Sequence, residues 1–395
     1  MGGIITQGNI ARLSIAQALA GANTTVIYAT AAIIGNTLAP TPTLATMPIS
    51  VFVVGMAAST LPVGTIAQRY GRRTSFMVGT GCGIVVGLLS ALAIWLGSFW
   101  LYCFAMLFGG AYAAVVLSFR FAAAECVGTN DRARALSTVM AGGIAAGVIG
   151  PQLVTYTMNL WQLHLFVATY IAQACVALLS ACILTGVTLP VPKRDTPAST
   201  GRPLKEIARQ PAFIVAVICG IVSYTLMNFL MTSAPLAMHL CGLPQEASNL
   251  GLQWHVIGMY APSFFTGRLI TRYGAPRIVL AGLILLACAA VAGLAGQTVG
   301  HFWASLTLLG LGWNFSFIGA SAMVLETHRP EEKNKVQALN DFLVFGTMVL
   351  GSFSSGSILV LDGWHVVCLI VFPPIVVALI ALGMRGKMSG RMQQV

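Results

Sequence analysis

Long apolar runs, one after another with short polar breaks between them, constrain this chain more than any other feature. The runs fall at about 12–38, 43–66, 74–97, 100–127, 133–158, 161–189, 211–239, 246–269, 277–298, 301–326, 335–360 and 364–384. A helix crossing a bilayer needs about 20 mostly apolar residues, because each residue rises about 1.5 Å through about 30 Å of hydrocarbon. Each run is long enough. The chain is 57% hydrophobic and 8% charged, against roughly 25% charged for a soluble globular protein. Water does not solvate a compact particle with so little polar surface, and a lipid bilayer does. The expected fold is an all-α integral membrane protein with twelve transmembrane helices, here called spans 1 to 12. The first run begins near Arg12 and is too long for a signal-peptide apolar region.

The positive charges orient the spans. Cytoplasmic loops collect Lys and Arg. With the N-terminus inside, Arg12 lies at the inner start of span 1, and Arg69, Arg72 and Arg73 follow span 2. Arg120, Arg132 and Arg134 lie near the inner ends of spans 4 and 5, and five more cations fall between spans 6 and 7. Arg268, Arg272 and Arg277 flank spans 8 and 9; Arg329, Lys333 and Lys335 join spans 10 and 11; Arg385, Lys387 and Arg391 close the chain. All 21 Lys and Arg residues thus fall on one side. Both termini are expected to be cytoplasmic, in a bacterial inner membrane. The net charge of +11 belongs to these loops, so no nucleic-acid partner is expected.

Residues 190–210 hold Pro190, Pro192, Pro197 and Pro203 among charges and small polar residues. That is linker composition. It separates a six-helix bundle at 1–189 from a second at 211–395. The two resemble each other: Arg69-Tyr70-Gly71 recurs as Arg272-Tyr273-Gly274, and Glu125, Arg132 and Arg134 recur as Glu326, Lys333 and Lys335. A duplicated unit of this kind builds transporters whose site lies near the midplane between the halves.

The loop after span 2 reads Gly64-Thr65-Ile66-Ala67-Gln68-Arg69-Tyr70-Gly71-Arg72-Arg73. It resembles the signature of the major facilitator superfamily, G-x-x-x-D-R-x-G-R-R, and the loop from Gly267 to Arg277 is similar to its weaker second copy. The resemblance covers nearly the whole chain. It implies a cytoplasmic gate built on Gly64, Gln68, Arg69, Gly71, Arg72 and Arg73. The family acid is Gln68 here, so that part of the latch between the halves is missing. Asp341, at the inner start of span 11, either faces Arg69 or Arg72 in its place or caps its own helix, where a negative charge is favourable. Gly143, Gly147, Gly150 and Pro151 in span 5 are similar to a glycine-proline motif of antiporters in the family, and equally fit close helix packing. The resemblance further implies a monomer, and a cavity lined by spans 1, 4, 7 and 10.

Those spans offer Asn23 and Tyr28, then Tyr224 and Asn228, then Trp313 and Asn314, as substrate-binding candidates. An amide in hydrocarbon needs hydrogen-bond partners, so these side chains are expected to point inward, to solute or to other helices. His255 in span 8 is the one ionisable group well inside the membrane, about 20 Å along its helix from Arg268. It suits either proton movement or a neutral interhelical bond. Tyr28, Trp254, Tyr260 and Trp313 offer rings for a flat solute or for packing. Arg120 either contacts an anion or snorkels to the interface. Eight of the ten acids lie toward the inner surface, which disfavours carboxylate-based cation exchange.

Apolar, aromatic and neutral polar residues together point to a small amphipathic organic solute. The expected function is secondary transport by alternating access, driven by protons or running downhill, with drug or metabolite efflux as the alternative. No nucleotide-binding loop, H-E-x-x-H or C-x-x-C occurs. An enzyme is therefore not expected, and neither is a metal or cofactor. A transporter-like membrane sensor is a weaker reading, because the longest cytoplasmic segment is the linker.

Overall fold

The structure is a computed structural model and describes residues 2–127, 132–189, 201–329 and 332–392. Among them every regular element is helical. In the first half these are α1 (Gly2–Leu38), α2 (Met47–Tyr70), α3 (Arg72–Trp95), α4 (Phe99–Val116), α5 (Phe119–Glu125), α6 (Arg132–Thr157) and α7 (Val167–Thr185). A short helix, α8 (Leu204–Ala208), leads into the second half: α9 (Pro211–Leu240), α10 (Gln245–Tyr260), α11 (Ser263–Tyr273), α12 (Ala275–Leu294), α13 (Val299–Leu325), α14 (Lys333–Leu369) and α15 (Phe372–Met392). Most of the linker expected at 190–210 lies outside the described residues.

Among the described residues, ten helical stretches are long and apolar enough to cross a membrane. The last, Leu339–Met384, is interrupted at Gly363, whose φ of 82° and ψ of 174° are not helical. Two expected spans are broken. Span 4 divides into α4 and α5 at Leu117–Ser118, where the Ser118 hydroxyl turns back onto the Val115 carbonyl at 2.6 Å. Span 8 divides into α10 and α11 around Pro262, which has no N–H to continue the ladder.

The packing follows from where polar residues can be tolerated. α1 and α9 are the most enclosed stretches, and these two carry the most buried polar residues among those described. α1 packs on α6 and α7, and α9 on α13 and α14; α1 also meets α9, α2 meets α14 and α6 meets α10, which joins the halves. The repeat seen in the sequence has a backbone counterpart. Gly71 (φ 87°, ψ 157°) begins α3, and Gly274 (φ 85°, ψ 144°) begins α12. A positive φ of that kind is strained for a side chain with a Cβ and free for glycine, so Tyr-Gly marks the same sharp turn twice.

The linker's described end is tied down. Glu332, fully buried, accepts two bonds from the Arg202 guanidinium at 2.8 and 2.9 Å, and the backbone N–H groups of Arg202 and Arg329 at 2.8 and 3.0 Å. These bonds hold the carboxyl well below the usual Glu range, the Arg202 side chain contributing most.

Candidate transport cavity

Stripes of side chains at helical spacing build the centre. On α1, Gln17, Gly21, Thr24, Thr25 and Tyr28 recur every three or four residues and share one face. On α9, Tyr224, Met227 and Met231 do the same, and α2 adds Phe52 and Met56. They enclose a cavity of about 100 Å³. A second cavity, of about 210 Å³, shares Gln17, Val116, Leu117, Tyr224, Met259 and Tyr260 with the first. It runs along Thr60, Val63 and Gly64 of α2 to Asp341 of α14, toward the end of the molecule that carries the arginines.

Both helix breaks open onto this space. The α4–α5 break presents Val116, Leu117 and Ser118, and the α10–α11 break leaves Met259 and Tyr260 at a helix end. Asn314 stitches the second break. Its Nδ2 donates to the Met259 carbonyl at 2.6 Å and to Ser263 Oγ at 2.8 Å, and its Oδ1 accepts from Thr266 Oγ1 at 2.6 Å. All of its bonds stay within the protein's second half, and it lines neither cavity.

The larger cavity is aromatic on one side. Tyr224 meets Phe317, Trp313 and Phe345 edge-on, with centroids at 4.9, 5.5 and 5.5 Å. Trp313 and Phe317, one turn apart on α13, stack at 5.2 Å with 16° between planes. Stacked and edge-on pairs are the favoured aromatic geometries, so the rings of this wall support one another. The Trp313 indole N–H is buried and has no hydrogen-bond partner among the described residues. Tyr260 completes the wall and lies flat against Gly143 of α6: a Cβ at Gly143 would stand 2.7 to 2.8 Å from three of its ring carbons. Tyr28 faces Phe52 at 5.6 Å, and its hydroxyl donates to Asn228 Oδ1 at 2.8 Å, tying α1 to α9.

The expected site residues distribute unevenly. Tyr28, Tyr224 and Trp313 come together on the cavity walls, and Asn228 stands behind Tyr28. Asn23 is buried but lines neither cavity, and among the described residues both of its amide atoms are without a hydrogen-bond partner. Trp254 is 46% exposed on the outer face of α10 and also lies off the cavities. His255 is fully buried, with Nδ1 2.8 Å from the Leu306 carbonyl. A carbonyl only accepts, so Nδ1 carries the proton and the ring ties α10 to α13. The Arg120 side chain lies outside the described residues, as does that of Gln68.

Among the gate candidates, Gly64 lines the larger cavity. Gly71 makes the turn, and Arg69 and Arg73 are exposed beside it. Arg72 does not reach Asp341. It forms a two-pronged pair with Glu125, at 2.5 and 2.7 Å, and so holds α3 to α5 within the first half. Asp341 accepts from the neighbouring Asn340 at 3.1 Å and is the one charged residue among those described on the cavity walls. Gln17, Phe317, Phe345 and the methionines were not singled out from sequence. The spacing of Phe317 four residues after Trp313 was the available signal.

The chain matches the Major Facilitator Superfamily model over residues 13–261 and 254–387. It is 43% identical to the riboflavin transporter RfnT of Brucella anthropi, over 97% of this chain and 96% of that protein. It is 29% identical to the uncharacterized MFS-type transporter YdeG of Bacillus subtilis, over 88% of this chain and 84% of that one. Its fold is similar to that of the xylose transporter XylE of E. coli, with a TM-score of 0.73 at 13% identity over 96% of this chain and 97% of the other. The human organic anion transporter MFSD10 gives a TM-score of 0.70 at 14% identity, over 95% and 99%. The chain is a multi-pass membrane transporter and belongs to the major facilitator superfamily.

Proposed function

We propose that the protein carries riboflavin, or a closely related neutral flavin, across the bacterial plasma membrane by alternating access. The observation that carries this reading is the 43% identity to a riboflavin transporter along almost the full length of both chains. The cavity supports it on chemical grounds. A flavin is a flat tricycle with a hydroxylated tail, uncharged at neutral pH. The wall of Tyr224, Trp313, Phe317 and Tyr260 suits the ring, and the stripe of Gln17, Thr24 and Thr25 suits the hydroxyls. Binding sites for organic ligands are mostly apolar, with a few placed polar groups.

In this proposal the chain makes twelve passes in two six-helix halves, 1–189 and 211–395, joined by the linker at 190–210. The arginine end is cytoplasmic, because positive charge concentrates there. The larger cavity reaches toward that end, so the conformation is inward-facing. Solute enters from the other side after the halves rock about Tyr28 and Asn228, and the protein acts as a monomer. Expression in a riboflavin auxotroph lacking its own uptake system tests the reading. Growth on micromolar riboflavin is expected with the wild type, and Tyr224→Ala is expected to need about 10- to 100-fold more riboflavin. Growth with neither, despite membrane expression, would reject riboflavin as the solute.

A further inference from the structure

The described hydrogen bonds that cross between the two halves all lie at or beyond the level of Tyr28, away from the arginines. They are Tyr28 to Asn228, Ser50 to Ser352, Ser357 to the Thr43 carbonyl, Gln152 to Gln253, Gln245 to the Ala29 carbonyl, and Asn249 to Thr155. Every partner is a neutral amide, hydroxyl or carbonyl. Within this set Asn249 occupies the junction of three helices. Its Oδ1 accepts from Gln245 one turn earlier on α10, at 3.0 Å, and that same Gln245 nitrogen donates to the Ala29 carbonyl on α1 at 3.3 Å. Its Nδ2 donates to Thr155 Oγ1 on α6 at 2.9 Å. The Thr155 hydroxyl passes its own proton to the Pro151 carbonyl at 3.0 Å, so its oxygen is left to accept. Asn249 is 1% exposed.

We propose that Asn249 is the positioning residue that holds the end opposite the arginines shut, through the Gln245–Asn249–Thr155 relay. A buried amide stripped of its partners is costly, whereas one exposed to water is not. Both amide groups of Asn249 are satisfied while α10 lies against α6. Separating these helices breaks the bond to Thr155 and the one from Gln245 to α1 together. The relay therefore biases a two-state equilibrium toward closure at this end, as a contact made in only one of two states must. Being neutral, it lets go without separating an ion pair in a region of low dielectric.

The test uses double electron–electron resonance on the full-length protein in lipid nanodiscs, without any solute. Its outcome is therefore independent of whether riboflavin is carried. Spin labels are attached at Leu160→Cys and Leu240→Cys, both exposed, on the first and second halves respectively, with the native cysteines replaced. The parent is expected to give one dominant short distance. Asn249→Leu and Thr155→Val are each expected to add a longer one, raising the open fraction about tenfold, as a change of about 1.4 kcal/mol does. Thr155→Ser keeps the hydroxyl and is expected to stay with the parent. If Asn249→Leu does not fold, Thr155→Val against Thr155→Ser decides alone. Distance distributions that coincide with the parent in both relay variants, with only a lower melting temperature, would reduce Asn249 to a packing residue and overturn the proposal.

Discussion

The Tyr28 hydroxyl donates to Asn228 Oδ1 at 2.8 Å across the boundary between the halves, from α1 to α9. The two residues stand 200 positions apart, close to the offset of the repeated loop motifs, so they occupy nearly equivalent places in the two copies. Tyr28 is also a wall of the smaller cavity. One hydrogen bond thus ties a cavity-wall residue to the boundary between the halves.

Tyr28→Phe removes the donor and leaves the buried Asn228 amide without its described bond. The expected cost is about 1–3 kcal/mol, the usual penalty for an unsatisfied buried polar group. Thermal unfolding in detergent measures it, and Tyr28→Phe combined with Asn228→Leu is expected to recover most of the loss.

Removing the aromatic wall is expected to lower solute affinity. Tyr224→Ala loses contacts with three rings and is expected to weaken riboflavin binding about 10- to 100-fold, matching the roughly 1–3 kcal/mol of ring stacking on a flat heterocycle. Tyr224→Phe keeps those contacts and is expected to change affinity less than about threefold. Titration by flavin fluorescence separates the two.

Gly143→Ala acts on the same site from the far side of α6. The added methyl would stand 2.7 to 2.8 Å from carbons of the Tyr260 ring, so the ring must move, and the open direction is into the cavity. Uptake is expected to show a raised KM. Tyr260→Ala in the Gly143→Ala background is expected to accept the methyl with normal melting behaviour, which ties the effect to that contact.

Much of the fold was legible because membrane thickness sets the length of each apolar run. The breaks in spans 4 and 8 were less so: a run that is apolar throughout gives no sign of an interruption, although Pro262 marked one of them. The cavity was partly legible. Tyr28, Tyr224 and Trp313 were found by helix and polarity. Trp254 and Asn314 each sit one residue from a buried or cavity-lining neighbour, and one residue is about 100° of helix rotation. That carries Trp254 out to the surface and Asn314 onto the α10–α11 break. The polar pairs of α6 and α10 were not singled out because nothing in a single sequence says that Asn249 faces Thr155.

His255 is bound to Leu306 through its protonated Nδ1 and lies off the cavities. His255→Gln is accordingly expected to lower the melting temperature while leaving the pH profile of uptake between pH 5 and 8 unchanged in shape. A flattened profile in vesicles would instead return this histidine to the proton path.

Glu332 gives a pH dependence outside the membrane. Its carboxyl is held low by Arg202 and by backbone N–H groups, so the folded protein favours the charged form. The stabilisation is full above the ordinary Glu range, about 4.3, and is lost as pH falls below it. Wild type is expected to melt above Glu332→Gln at pH 7, and the gap is expected to narrow steadily below about pH 4. A gap independent of pH would contradict the assignment.

Uptake of radiolabelled riboflavin into liposomes holding the purified protein is the decisive test of riboflavin transport. Saturable entry is expected, faster than into protein-free liposomes, blocked by excess unlabelled riboflavin and shifted by Tyr224→Ala to a KM about 10- to 100-fold higher. Entry at the protein-free rate, from protein that is folded and inserted, would contradict it.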